Sequence, residues 1–350
     1  MNVKIGIPRS LFYFRFIPLW KTFFNFLGAE VVVSEATNKR ILEEGVKACV
    51  DEACLPVKLF HGHVISLKDK ADYIFIPRFT SISKNEYICP EFGGLPDMVR
   101  HTVKGLPPLI DTEINMRKSD KGAVKAAVET AAVLGLGAKV AKEALEAAVG
   151  DYRSFRSREL LYGPQFIRTA GGRGPGAGRP RIAVIGHSYN LYDEYISMDL
   201  IGKLDRLGYD AVTIEMVDER DINTYASLLT KPMFWNYGRN AFGAAAHLAR
   251  SGKIDGMICV SSFGCGIDSM VCDLIERKIR RKYQIPFIMF TMDEHSGEAG
   301  FNTRLEAFID MLYWRKRNEI NVSAPGSYLY LRKGDAGRSR SGMRHSAVQQ

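Results

Sequence analysis

The chain has 350 residues, 46% hydrophobic and 25% charged, which is a globular balance long enough for about two domains and too short of long apolar runs for a membrane span. Its six cysteines are too sparse for a secreted disulfide scaffold, and MNVKIGIPRS lacks the layout of a signal peptide, so a soluble cytoplasmic protein with reduced thiols is expected. The net charge of +9 is concentrated in Arg153–Arg181 (seven Arg, one Glu) and Asn321–Gln350 (five Lys or Arg, one Asp), which leaves the rest at −1 and argues against a nucleic-acid partner.

In chain order, KIGIPRS reads as a strand and turn at Pro8-Arg9, followed by an apolar helix pattern, a Leu27-Gly28 cap and the strand of AEVVVSE. GVKACVDEAC continues as helix and places Cys49 there as a structural residue. Pro56 is expected to stop that helix, which puts Cys54 of DEACLPVK near a helix end or turn. HGH (61–63) follows that end; a strand would turn both rings to one face and a helix would part them, so it is not carried forward as a metal site. DYIFIPRF (72–79) is a further strand, and Cys89 in YICPEFGG stands before a proline that keeps the chain extended. The Ala-rich stretch 121–155 has helical spacing and predicts one or two bridging helices. TAGGRGPGAGRP (169–180) cannot bury a core and reads as a linker. After it come RIAVIGHS, IGKLDRLGYDAVTIE and DGMICVSSF (255–263), then Gly264-Cys265-Gly266. PFIMF leads into TMDEHSGEAG with a helix starting near Glu298, and the basic tail from Asn321 has no sustained period and is expected to be disordered.

The stretches on either side of the linker match at an offset of 180: Ile5-Gly6 with Ile185-Gly186, Leu27-Gly28 with Leu207-Gly208, Glu35 with Glu215. Each half opens strand, Gly turn, helix, Leu-Gly cap, strand. Strands alternating with helices imply a parallel sheet covered on both faces. The expected fold is α/β, with two similar doubly wound, Rossmann-like parallel-sheet lobes and bridging helices. The expected bounds are 1–120 for the first lobe, 121–168 for the bridging helices, 169–180 for the linker, 181–320 for the second lobe and 321–350 for the tail. Ligands of such sheets bind beyond the carboxyl ends of the strands. That rim collects Arg9, His187, Cys265 and the cluster Asp293, Glu294 and His295, which could face a cleft or a partner. Neither a P-loop nor a dinucleotide fingerprint is present, so no ATPase activity of its own is expected.

Cys54, Cys89 and Cys265 all sit at element ends, 35 and 176 residues apart, which is no zinc-finger spacing. A metal shared by them has to be assembled by the fold. Three thiolates could hold a 4Fe-4S cluster with one iron left open, or a single zinc with a water, and sulfur softness does not separate the two. Cys259, inside the strand MICV, reads as a buried small hydrophobe, and Cys272 lies two helical turns past Cys265.

Five separated stretches occur together and in order: GIPRSLFYF with PLWKTFF, VDEACLPVK with HGHV, YICPEFGGLPDM, VSSFGCGIDS, and TMDEHSGEAGFNTRLEAFIDML. Over roughly residues 3–315 they resemble the family related to 2-hydroxyacyl-CoA dehydratase and its activator. The resemblance implies an oxygen-sensitive iron–sulfur cluster on the positions matched here by Cys54, Cys89 and Cys265. It also implies anaerobic, low-potential electron transfer from a separate actin-like ATPase activase, with a small-molecule or acyl-CoA substrate possible; no stretch is assignable to CoA. Two other readings stand beside it: a zinc-dependent enzyme on the same three cysteines, and a non-catalytic assembly or binding module.

Overall fold

Two four-stranded parallel sheets grow from the short apolar runs. The first half contributes β1 (Lys4–Ile7), β2 (Glu30–Val33), β3 (Tyr73–Phe75), β4 (Arg78–Ser81), β5 (Leu109–Ile110) and β6 (Glu113–Asn115). The second contributes β7 (Arg181–Ile185), β8 (Asp210–Thr213), β9 (Gly256–Ser262) and β10 (Phe287–Met292). The sheet orders are β2-β1-β3-β5 and β10-β9-β7-β8, and β4 pairs with β6 in a separate ribbon. Read from the opposite edge, the second order is β8-β7-β9-β10, so both sheets wind alike, with the first strand second in the sheet. Every strand pair is parallel. The fold is two Rossmann-like lobes flanked by helices. This structure, a computed structural model, describes residues 3–162 and 178–320. Most of the expected linker and the whole expected tail lie outside the described residues.

The repeat is most faithful at its caps. Gly28 and Gly208 have φ of 79° and 86°, the left-handed region that glycine enters without penalty. Each closes its helix alike: Gly28 N donates to Asn25 O at 2.9 Å and Ala29 N to Phe24 O at 3.0 Å, as Gly208 N does to Asp205 O at 3.0 Å and Tyr209 N to Leu204 O at 2.9 Å. The first glycine of the repeat departs from expectation. Gly6 lies inside β1, where a Cβ would meet Ala71 Cβ at 3.0 Å, whereas Gly186 follows the end of β7.

The first lobe carries α1 (Tyr13–Phe26), α2 (Lys39–Ala48), α3 (Leu55–Leu67), α4 (Pro90–Thr102), α5 (Lys121–Val133) and α6 (Ala138–Tyr162). Pro56 corrects an expectation: it does not stop a helix but sits in the first turn of α3, where its missing N–H costs nothing. HGH is therefore helical, and both rings are fully buried. His63 is held by two hydroxyls, Ser34 Oγ at 2.9 Å from Nδ1 and Thr37 Oγ1 at 3.0 Å from Nε2. Thr37 Oγ1 also donates to Asp193 of the second lobe, and Arg9 N donates to Ser34 Oγ at 2.8 Å. Burial, then the nearby Arg9 charge, push His63 down to about 3, so it stays neutral.

The other half of the seam between the lobes runs along α6. Its buried Glu159 contacts Arg156 and lies near Glu215, which accepts from Tyr192 Oη at 2.9 Å. Burial first, then the Glu215 carboxylate, push Glu159 up to about 7. Residues 1–305 form one compact unit that holds both sheets, and residues 306–350 form another, of which 306–320 are described and helical. Among the described residues no helix is long and apolar enough to cross a membrane.

Candidate metal centre

Each of the three element-end cysteines is the residue immediately before a helix. Cys54 caps α3, Cys89 caps α4, and Cys265 caps the helix Gly266–Ile275. Cys89 keeps extended backbone because Pro90 follows it. Cys265 follows Gly264, whose φ of 80° makes the tight corner out of β9. That corner lies on the Cys54 loop: a Cβ at Gly264 would stand 3.2 Å from Cys54 Cα and 3.6 Å from Glu52 O. Cys54 Sγ in turn donates to Glu91 Oε2 at 3.5 Å, in the first turn of the helix that Cys89 caps. The three loops thus meet at one place, and the three cysteines pack on the first lobe's core, Cys54 within it and Cys89 and Cys265 against it.

The electrostatics report the same meeting. Burial raises all three thiols, Cys89 to about 11 and Cys54 and Cys265 further. The next cause is a carboxylate for Cys54 (Glu91) and for Cys265 (Asp268), and then one thiol acts on another: Cys265 raises Cys54, and Cys89 raises Cys265. Opposing this are backbone amides of the first helical turn. Asp268 N donates to Cys265 Sγ at 3.4 Å, and the N–H groups of Val57 and Glu91 favour the thiolates of Cys54 and Cys89. Three helix N-termini, each with partial positive charge, therefore face three sulfurs. Burial and the two carboxylates outweigh these amides, so the thiols stay protonated unless positive charge enters between them. The donor set fits a sulfur-bound metal group in chemistry and in amide support. Among the described residues no group of three or more His, Cys, Asp or Glu stands in metal-holding geometry, so loading would have to draw the sulfurs closer together.

The remaining cysteines separate from this place to different degrees. Cys259 and Cys272 are buried in the second lobe's core and hydrogen-bond each other. Cys49 does not lie within a helix; α2 ends at Ala48, and the Cys49 thiol lies near Lys58 and Glu91.

Of the rim residues, His187 comes closest. Its ring lies between those of Tyr189 and Tyr237, at centroid distances of 4.5 and 3.4 Å, and its Nε2 is 3.0 Å from Asp268 Oδ1. A cleft of about 60 Å³ opens there, lined by Cys89, His187, Tyr189, Tyr237 and Arg15. Arg9 lies instead at the His63 seam. Asp293, Glu294 and His295 follow β10, as the sequence suggests. Asp293 Oδ1 accepts from His295 N at 2.8 Å and from Ser296 Oγ at 2.9 Å, which closes a local turn. Glu294 pairs at 2.6 Å with Lys58, a buried lysine of α3, and that hydrogen bond lowers its carboxyl below the usual range. Lys58, Glu91, Asp268 and Tyr189 were not singled out from the sequence. Glu91 and Asp268 carry a legible signal, an acidic residue two or three positions after a helix-capping cysteine.

Residues 4–217 match the family model of the CoA enzyme activase uncharacterised domain, and residues 136–312 match that of the 2-hydroxyglutaryl-CoA dehydratase D-component. No curated protein matches the chain. Similar solved structures include a periplasmic solute-binding protein of an ABC transporter from Actinobacillus succinogenes 130z with bound D-allose. It is 12% identical, with 79% of this chain and 82% of that one covered and a TM-score of 0.20. Another is a LacI family transcriptional regulator from Arthrobacter sp. FB24 in complex with lactose, 12% identical, with coverage of 83% and 97% and a TM-score of 0.22. At these scores neither fold nor ligand carries over to this chain.

Proposed function

This chain belongs to the family of the CoA enzyme activase uncharacterised domain and, through residues 136–312, to that of the 2-hydroxyglutaryl-CoA dehydratase D-component, and from that premise we propose that it is an iron–sulfur redox protein. The observation that carries this reading is the meeting of Cys54, Cys89 and Cys265 at three helix N-termini, with the Asp268 amide donating to the Cys265 sulfur. These three residues would hold a 4Fe-4S cluster. When bound, the cluster supplies one-electron transfer at a potential set by its net charge, burial and hydrogen bonds to sulfur.

The chain's own residues have definite parts in this proposal. First-turn amides at Asp268, Val57 and Glu91 would support the sulfurs as thiolates once a metal is bound. The carboxylates of Glu91 and Asp268 add negative charge beside them and would favour the oxidised state. Burial keeps water off Cys54. The small cleft beside Cys89 and His187 leaves room for a ligand of a few atoms.

Electrons of low potential need an energy input, and this chain has no P-loop. The proposed donor is therefore a separate ATP-hydrolysing activase in the cytoplasm. The test is anaerobic spectroscopy of the loaded protein with a reduced activase, with and without ATP. ATP-dependent reduction is expected; equal reduction without ATP, or ATP hydrolysis by this chain alone, would defeat the proposal.

A further inference from the structure

The first lobe contains a second cavity, distinct from the thiol site. It measures about 320 Å³ and lies between α1, the edge of the sheet and the Ala-rich pair α5 and α6. Protein interiors have few voids larger than a water molecule, and an apolar space of about 150 Å³ already takes up small hydrocarbons. The size comes directly from the sequence. One wall carries large aromatic rings, Phe16, Trp20, Phe75 and Phe79, with Trp20 edge-on to Phe75 at 5.3 Å. Beside Leu145 and Val149 the lining includes Ala123, Ala126 and Ala127, whose short side chains leave the space unfilled. Of the hydroxyls there, half-buried Thr112 and buried Thr130 hydrogen-bond each other at 2.8 Å, which leaves one O–H over.

Polarity enters at one end only. Arg15 lines the cavity and also the small cleft beside Cys89, so it stands on the wall between them. It is half-buried, and its guanidinium lies 5.4 Å from the Phe16 ring centroid. Among the described residues it forms no ion pair, and its attraction to Glu159 acts through space. Tyr152 lines the cavity too, with its ring 5.7 Å from that of Phe16.

We infer that this cavity binds a medium-chain carboxylate, with the hydrocarbon against the aromatic wall and the carboxylate on Arg15. Three features select that ligand: the apolar walls, the single cation at one end, and the volume. The space is roughly twice the apolar cavity of about 150 Å³ that already holds a benzene ring, so a chain of about ten carbons fits within it. An anion on a half-buried arginine that forms no ion pair among the described residues gains a charge-assisted hydrogen bond. The inference does not depend on the thiol site carrying a metal.

The test is calorimetric titration of the full-length protein, prepared without iron, with hexanoate, decanoate, hexadecanoate and decanol. Decanoate should bind best, because a pocket of bounded size stops rewarding added methylenes once it is filled. Arg15→Gln should weaken decanoate about tenfold or more and leave decanol within about twofold, since only the charged head meets the guanidinium. Ala127→Phe should abolish binding of both; if that variant does not fold, Ala126→Leu serves the same purpose. Absence of decanoate binding, affinity that climbs steadily with chain length as on a greasy surface, or an Arg15→Gln protein that binds decanoate unchanged would each overturn the inference.

Discussion

Two glycines flank Cys265, and they should respond oppositely to the same substitution. Gly264 has φ of 80°, and a Cβ there would stand 3.2 Å from Cys54 Cα and 3.5 Å from Cys54 N. An alanine in the left-handed region costs about 1–2 kcal/mol. Pressing a methyl group on backbone that has no side chain to swing away adds about 1–3 kcal/mol, as overpacking does. The stiffer unfolded chain returns about 0.4–1 kcal/mol. Gly264→Ala should therefore lose about 1–5 kcal/mol by the sum of these terms. Gly266 opens the following helix with nothing within 4 Å of its Cβ position. Gly266→Ala should be neutral or gain about 0.4–1 kcal/mol. Urea denaturation of both variants reads the difference. Iron uptake under anaerobic reconstitution gives a second reading, because Gly264→Ala pushes the Cys265 loop off the Cys54 loop. If Gly264→Ala matched wild type in midpoint and iron content, or Gly266→Ala were the worse of the two, the packing argument for this corner would be wrong.

Other outcomes follow from the same structure. Cys259→Ala should cost about 1–2 kcal/mol for a small cavity in the second core and leave iron content intact, by metal analysis of the purified variant. His63→Leu should cost about 2–4 kcal/mol, because Ser34 and Thr37 each lose a buried partner at the seam; chemical denaturation measures it. Glu159 has a folded pKa of about 7, above its unfolded value of roughly 4.3, so the unfolded chain binds fewer protons between those values. Stability should fall as pH rises through that window and level off above it, by about 1–3 kcal/mol. Glu159→Gln should flatten this dependence in melting curves taken from pH 5 to pH 8, and an unchanged slope would reject the assignment.

Much of the architecture was legible because it is local. The Leu27-Gly28 and Leu207-Gly208 caps signal their positive φ directly, and the short apolar runs between helices announce parallel strands. Pro56 misled because a proline can end one helix or begin the next. What decides between them is the apolar run after it, Val57 to Leu67, which α3 buries almost entirely. That misplacement also hid His63, whose partners Ser34 and Thr37 lie 29 and 26 residues earlier in the chain. For the candidate site, the sequence showed three cysteines at element ends but not that all three cap helices. The contact of Gly264 with Cys54 joins positions far apart in sequence and leaves no local signal. Lys58 and Glu294 are separated by 236 residues, and no local pattern could have paired them.

The central claim is that Cys54, Cys89 and Cys265 together hold an iron–sulfur cluster. Its most direct test is iron and acid-labile sulfide analysis of anaerobically purified protein, beside the single variants Cys54→Ala, Cys89→Ala and Cys265→Ala. A brown wild-type protein with about four iron and four sulfide per chain is expected, as for a cubane cluster, with strongly reduced content in each variant. A colourless wild type that carries zinc instead, or iron content unaffected by all three substitutions, would contradict the account.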